Sequence, residues 1–115
     1  MATLSIRIPI HPLSVNKAWQ GRRFKTNDYK RYEREALIRF PRLPMMTGVV
    51  EVWYKFGLMK KSYAISDVGN LEKCLSDILV KKGYIEDDRK IAVLHLQKVE
   101  SSMYYVEVVL QPYHG

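Results

Sequence analysis

A single cysteine, Cys74, in 115 residues leaves no intramolecular disulfide to form. Long apolar runs are also missing: no segment approaches the ~20 residues needed to cross a bilayer. The first residues carry neither the charged leader nor the apolar stretch of a secretion signal, so a reducing, cytoplasmic compartment is expected. Repeats and low-complexity tracts are absent, and the length suits one domain, 1–115, able to bury a core without disulfides or structural metal. Acids are scarce, 12 against 19 Lys and Arg, for a net charge of +7. The imbalance is local, because residues 16–61 hold twelve of the bases and four of the acids. Such a chain favours a polyanionic partner, since neutralising phosphates releases condensed counterions. Basic domains that bind no nucleic acid share this composition, so charge alone does not decide.

Leu4, Ile6, Ile8 and Ile10 alternate with polar residues and Pro9, the period of a half-buried strand at an edge. The stretch from His11 to Lys25 has no clear period, with turn formers, Trp19, Phe24 and dense positive charge, and reads as a loop. Thr26, Asn27 or Asp28 can cap a helix carrying Tyr29, Tyr32 and Ala36 on one side, ended by Pro41 and Pro44. Val50, Val52, Tyr54, Phe56 and Leu58 alternate as a second strand, and Lys60-Lys61 opens the loop after it. Leu71, Cys74, Leu75, Ile78 and Leu79 then form one helical apolar stripe, which makes Cys74 a buried small hydrophobe. Asn70, Lys73, Asp77 and Lys81 lie opposite, and Gly83 supplies the left-handed stop. Residues 91–99 and 103–111 read as a hairpin. The expected fold is α+β, one mixed sheet of about four strands with two main helices, in the order β-α-β-α-β-β.

Acids gather at both ends of the second helix, Asp67 before it and Asp87-Asp88 after it, with Lys73 on its polar side. Carboxylates collected in a basic chain fit a hard divalent cation bridging to phosphate. Each also has a plainer use: Asp67 as an N-cap worth ~1 kcal/mol, and Asp87 and Asp88 as turn residues. A helix of about fifteen residues is ~22 Å long. Its two ends therefore meet only if the chain folds back or a second subunit intervenes.

The loop Pro12-Leu13-Ser14-Val15-Asn16, the block Asp67-Val68-Gly69-Asn70-Leu71-Glu72-Lys73, then Asp77, Gly83-Tyr84 and Asp87-Asp88 resemble the RusA-like Holliday junction resolvases, small dimeric phage-type endonucleases. The family pattern is Asp-x-Asp-Asn-Leu-x-Lys, an Asp four residues on, then Gly and an Asp pair, and several spacings match together over nearly the whole chain. The resemblance implies a Mg²⁺-dependent endodeoxyribonuclease of recombination and repair, prokaryotic or phage-encoded. By the same resemblance Asp67 and Asp88 are acidic catalytic residues holding the metal, with Asp87 beside them, and Lys73 is the basic residue of the site. One position departs: Gly69 stands where the family places its second acid, and a glycine ligates nothing. A substitution that traps uncleaved DNA, a natural variant of weakened chemistry, and compensation by Asp77 or Glu72 are the three explanations.

Candidate DNA contacts are Asn16, Trp19, Arg22, Arg23, Lys25, Lys30, Arg31 and Asn70, with Arg34 beside them and the aromatics of the basic loop interleaved. The alternative is a solvated helix face above two core aromatics. A four-way junction has approximate two-fold symmetry and needs two cuts, so a homodimer with one site per subunit is the expected partner arrangement, with no membrane. Two other functions stay open. One is a junction-binding protein without nuclease activity; the other is a small RNA-binding or adaptor domain whose acids are caps and turns.

Overall fold

The polypeptide begins with β1 (Leu4–Ile8), ended by Pro9, and then enters α1 (Val15–Ala18) and the two-residue strands β2 (Trp19–Gln20) and β3 (Phe24–Lys25). α2 (Asn27–Arg39) leads to β4 (Val50–Leu58), α3 (Lys60–Ile65), α4 (Gly69–Lys82), a 3-10 turn at Asp88–Lys90, β5 (Ile91–Glu100) and β6 (Tyr105–Pro112). The computed structural model describes residues 3–20 and 24–115. The main sheet is mixed, in the order β1-β6-β4-β5, with β2 and β3 forming a separate small ladder.

The helices form where capping and periodicity place them. Thr26 is the N-cap of α2, its hydroxyl accepting the N–H of Tyr29 at 3.2 Å, and the helix ends before Pro41 because proline blocks the α conformation of the residue before it. Gly83 closes α4 with φ +82°, a left-handed backbone that costs glycine no Cβ clash. The α4 stripe of Leu71, Cys74, Leu75, Ile78 and Leu79 is buried, together with Tyr29, Tyr32 and Ala36 of α2. These pack with Val50, Val52, Tyr54, Phe56 and Leu58 of β4 and Val106, Val108 and Leu110 of β6 into one core.

Three local expectations are corrected. The stretch from His11 to Lys25 is not all loop, because α1 and the β2–β3 ladder lie within it. Lys60 and Lys61 open a short helix, α3, in place of a loop. β5 and β6 are not a hairpin: β4 lies between them, parallel to β5 and antiparallel to β6. The chain passes over the end of β4, where the N–H of Ser101 donates to the carbonyl of Leu58 at 2.8 Å. Gly57 leaves room for the ring of its cross-strand partner Tyr105, since a Cβ there would sit 2.0 Å from that ring. Alternation of apolar residues reports which face a strand buries and says nothing about which strand it pairs with.

The parallel β4–β5 pair demands a crossover, which α3 and α4 supply. On the outer sheet face, charges pair with one another: Glu107 receives Arg7 at 2.9 Å and Lys55 at 3.6 Å, and His95 stacks on Trp53 at 4.7 Å while bonding Glu51 at 2.8 Å. That face presents neutralised charge.

Candidate active site on helix α4

Topology settles how the acid after α4 reaches the helix. Lys73 lies ten residues before Gly83, ~15 Å along the axis, and an extended return over residues 83–88 covers ~16 Å. Ile85 pairs in parallel with Met46, so the return runs in the direction of the chain entering β4. Tyr84 and Ile85 are buried and fasten it, the Tyr84 hydroxyl donating to the carbonyl of Pro41. Asp88 thus arrives beside the second turn of α4, where Lys73 Nζ donates to its Oδ2 at 3.0 Å. Both side chains are about half exposed.

Asp77 joins from one turn along the helix, 3.4 Å from Lys73 Nζ. The i, i+4 spacing puts the two on one face. Its second oxygen accepts the hydroxyl of Tyr29 on α2 at 3.0 Å. Asp88, through its bond to Lys73, and then Asp77 hold the Lys73 ammonium above the ordinary lysine range, while burial and then Asp77 push the Tyr29 hydroxyl well up. Lys73 is therefore a cation held between two carboxylates. Tyr29 was not legible as a site residue, because its place in the α2 apolar pattern accounts for its ring and leaves its hydroxyl unaddressed.

Asp67 heads the helix. Its Oδ1 accepts the N–H of Gly69 at 3.0 Å, and its carbonyl accepts that of Asn70 at 3.0 Å, so it caps α4 from just outside the first turn and remains exposed. The start of α4 lies four residues from Lys73, ~6 Å along the axis. Asp87 caps the 3-10 turn, accepting the N–H of Arg89 at 2.9 Å and its guanidinium at 3.3 Å. The Arg89 backbone N–H, then its side chain, hold the Asp87 carboxyl down at about 2. Glu72 faces inward instead, accepting from Ser76, whose hydroxyl also meets Tyr54 at 2.9 Å.

Among the described residues, no three or more His, Cys, Asp or Glu side chains gather as a metal cage. Mg²⁺ does not need one: it usually keeps several waters and binds through one or two carboxylates plus substrate phosphates. Asp67, exposed at the head of α4, and Asp88, bonded to Lys73, carry carboxylate oxygens of the kind such a site uses. Gly69, between Asp67 and Lys73, adds no donor.

A cleft of about 570 Å³ opens beside Asp67, lined also by Asn16, Lys17, Arg31 and Asn70. The structure thus gathers Asn16, Arg31, Asn70 and Asp67 around one opening. Lys25 turns elsewhere, bonded to Glu33 at 3.0 Å, and Lys30 is exposed on α2. Arg22 and Arg23 lie outside the described residues, as do the side chains of Trp19 and Phe24.

No helix among the described residues is long and apolar enough to cross a membrane. A search of curated proteins returned no match. The family model for Endodeoxyribonuclease RusA matches residues 9–111. That span includes Asp67, Lys73 and Asp88 together with every strand but β1 and the last residue of β6, and the chain belongs to the RusA endodeoxyribonuclease family.

Proposed function

We propose that this chain acts on four-way DNA junctions as a structure-selective endonuclease whose chemistry is weakened at Gly69. The single observation that carries the reading is the meeting of Asp88 with Lys73 on the exposed face of α4, on the helix that Asp67 heads, in a chain of the RusA family. A plain turn has no need of an acid brought back to a lysine in the second turn of the helix before it.

Asp67 and Asp88 are the residues that would hold Mg²⁺, which when bound polarises a phosphoryl oxygen and lowers the pKa of its water. Lys73 contributes positive charge where a scissile phosphate develops negative charge. Tyr29 and Asp77 position it. The basic residues of α1, α2 and the connection between them contact flanking phosphates, while the paired charges of the outer sheet face stay away from DNA. Two symmetric cuts call for two copies, so the working unit is a homodimer, in the cytoplasm of a prokaryote or of a phage-infected cell.

The glycine at position 69 favours a second reading, a protein that grips junctions and cuts them slowly or not at all. One experiment separates the two: incision of a synthetic four-way junction and of a sequence-matched duplex with Mg²⁺, beside retardation of both substrates. Selective retardation with paired incisions supports the nuclease. Selective retardation without incision leaves the binding protein, and equal retardation of both substrates rejects junction recognition.

A further inference from the structure

The cleft beside Asp67 has a chemistry different from that of a phosphate seat. Its floor is apolar, made by Ile10, Leu13, Tyr32, Leu58 and Leu71, all buried or half-buried. Its charges do not favour an anion: Glu35 is paired with Arg39 at 2.9 Å, which leaves Lys17 and Arg31 against Asp28 and Asp67, and Arg31 is already 3.8 Å from Asp28. Asn16 and Asn70 reach it from two different helices. Among the described residues neither side-chain amide has a protein hydrogen-bond partner, so each offers a donor pair and an acceptor. The ligand that suits an apolar floor, balanced charge and unspent amides is flat, neutral and rimmed with donors and acceptors. A nucleobase has those properties, and asparagine reads base edges through this donor and acceptor pair. The volume falls within the ~300–1,000 Å³ range of small-ligand seats.

We propose that this cleft receives one unpaired base of the bound DNA, from the strand whose phosphate lies at Asp67, an inference that rests on the junction-nuclease reading above. A base in continuous duplex cannot enter without leaving its stack, which costs a few kcal/mol and least where pairing is already broken. In the open form of a four-way junction the pairs at the exchange point stay formed but their stacking is interrupted, so drawing a base out there costs less than in continuous duplex. The cleft therefore selects for branched DNA and for the identity of one nucleotide beside the cut, and Asp67 borders both the base and the phosphate.

The test uses the full chain, with EDTA present to prevent cutting, and junctions carrying 2-aminopurine or 5-iododeoxyuridine at single crossover positions. At protein concentrations that saturate retardation, 2-aminopurine emission is expected to rise severalfold at one position. Leu13→Trp, which fills the floor, is expected to remove at least half of that rise at equal occupancy. On the native chain, photo-crosslinks from 5-iododeoxyuridine at that position are expected to map to residues 10–17 or Tyr32. This second readout decides the matter alone if the tryptophan variant does not fold. Saturated binding with no rise, an equal rise with Leu13→Trp, or crosslinks mapping only outside the cleft would overturn the base seat and leave junction recognition standing. Absence of junction retardation by the native chain would overturn both.

Discussion

Restoring an acid at position 69 tests the chemistry of the site and its geometry together. Gly69 is the first residue of α4, and the positive-φ glycines are Gly48, Gly83 and Gly115. A Cβ at Gly69 would meet only Asp67 Oδ1, at 3.5 Å, an ordinary contact. Gly69→Asp therefore enters without moving the backbone. Without metal, replacing glycine in a helix gains ~0.3 kcal/mol, and a carboxylate in the first turn gains ~0.3–1 kcal/mol from the helix dipole. Repulsion from Asp67 at ~5 Å in water costs ~0.8 kcal/mol. These effects nearly cancel, so the metal-free Tm should move by no more than about 3 °C. Mg²⁺ reverses the sign of the carboxylate pair, and at a hundredfold excess over its Kd adds ~2.7 kcal/mol, about 10 °C at ~4 °C per kcal/mol. Thermal unfolding with and without Mg²⁺, beside nicking of a synthetic junction, should show a metal-dependent Tm gain for the variant and cutting at least ~10-fold faster, or ~1.4 kcal/mol off the barrier. No metal-dependent gain in Tm together with unchanged cutting would refute the reasoning, because a correctly placed acid could not fail on both counts.

Three further outcomes are expected. In the Gly69→Asp background, Lys73→Met should cost at most ~1 kcal/mol of stability, since its two ion pairs are partly exposed, yet slow cutting by ~10²–10³-fold. A loss of cutting no greater than the stability loss explains would reduce Lys73 to a tether. Arg23→Ala should weaken binding to branched and linear DNA alike and lower the salt slope by about 1, and an unchanged slope in a salt titration would remove Arg23 from the phosphate contacts. Burial pushes the Cys74 thiol up from 9.0 to about 12. A folded-state pKa raised above the unfolded one gives stability fully present below pH 9 and lost as pH rises towards 12. Ellman's reagent at pH 8 should accordingly label Cys74 only at the rate of unfolding, and rapid labelling of folded protein would contradict its burial.

Much of the fold was legible because burial is written in periods. The apolar stripe of α4, the alternation of β4 and β6 and the Gly83 stop each follow from local chemistry and stand where the residues placed them, and the α2 cap falls on Thr26, one of the three residues able to supply it. Strand pairing was not legible. β5 and β6 each carry apolar residues suited to a sheet, and the four residues between them look like a hairpin turn, yet β4 lies between the two strands and pairs with both. For the candidate site, the family resemblance named Asp67, Lys73 and Asp88, and helix length alone argued against a meeting of Asp67 with Asp88. The fold-back that brings Asp88 to Lys73 depends on the parallel β4–β5 pair and on buried Tyr84 and Ile85, which are long-range features. The Tyr29 hydroxyl on Asp77 was hidden for the same reason, since its partner lies 48 residues away.

The central claim is recognition of branched DNA through the face that carries Asp67, Lys73 and Asp88. It is tested most directly by competition: a labelled four-way junction bound by the native chain in EDTA at ~0.15 M salt, challenged with unlabelled junction or with duplex of the same length and sequence. The account predicts that junction competes at least tenfold better than duplex, an advantage of ~1.4 kcal/mol, and that the preference persists as salt weakens both. Equal competition by the two DNAs would contradict it.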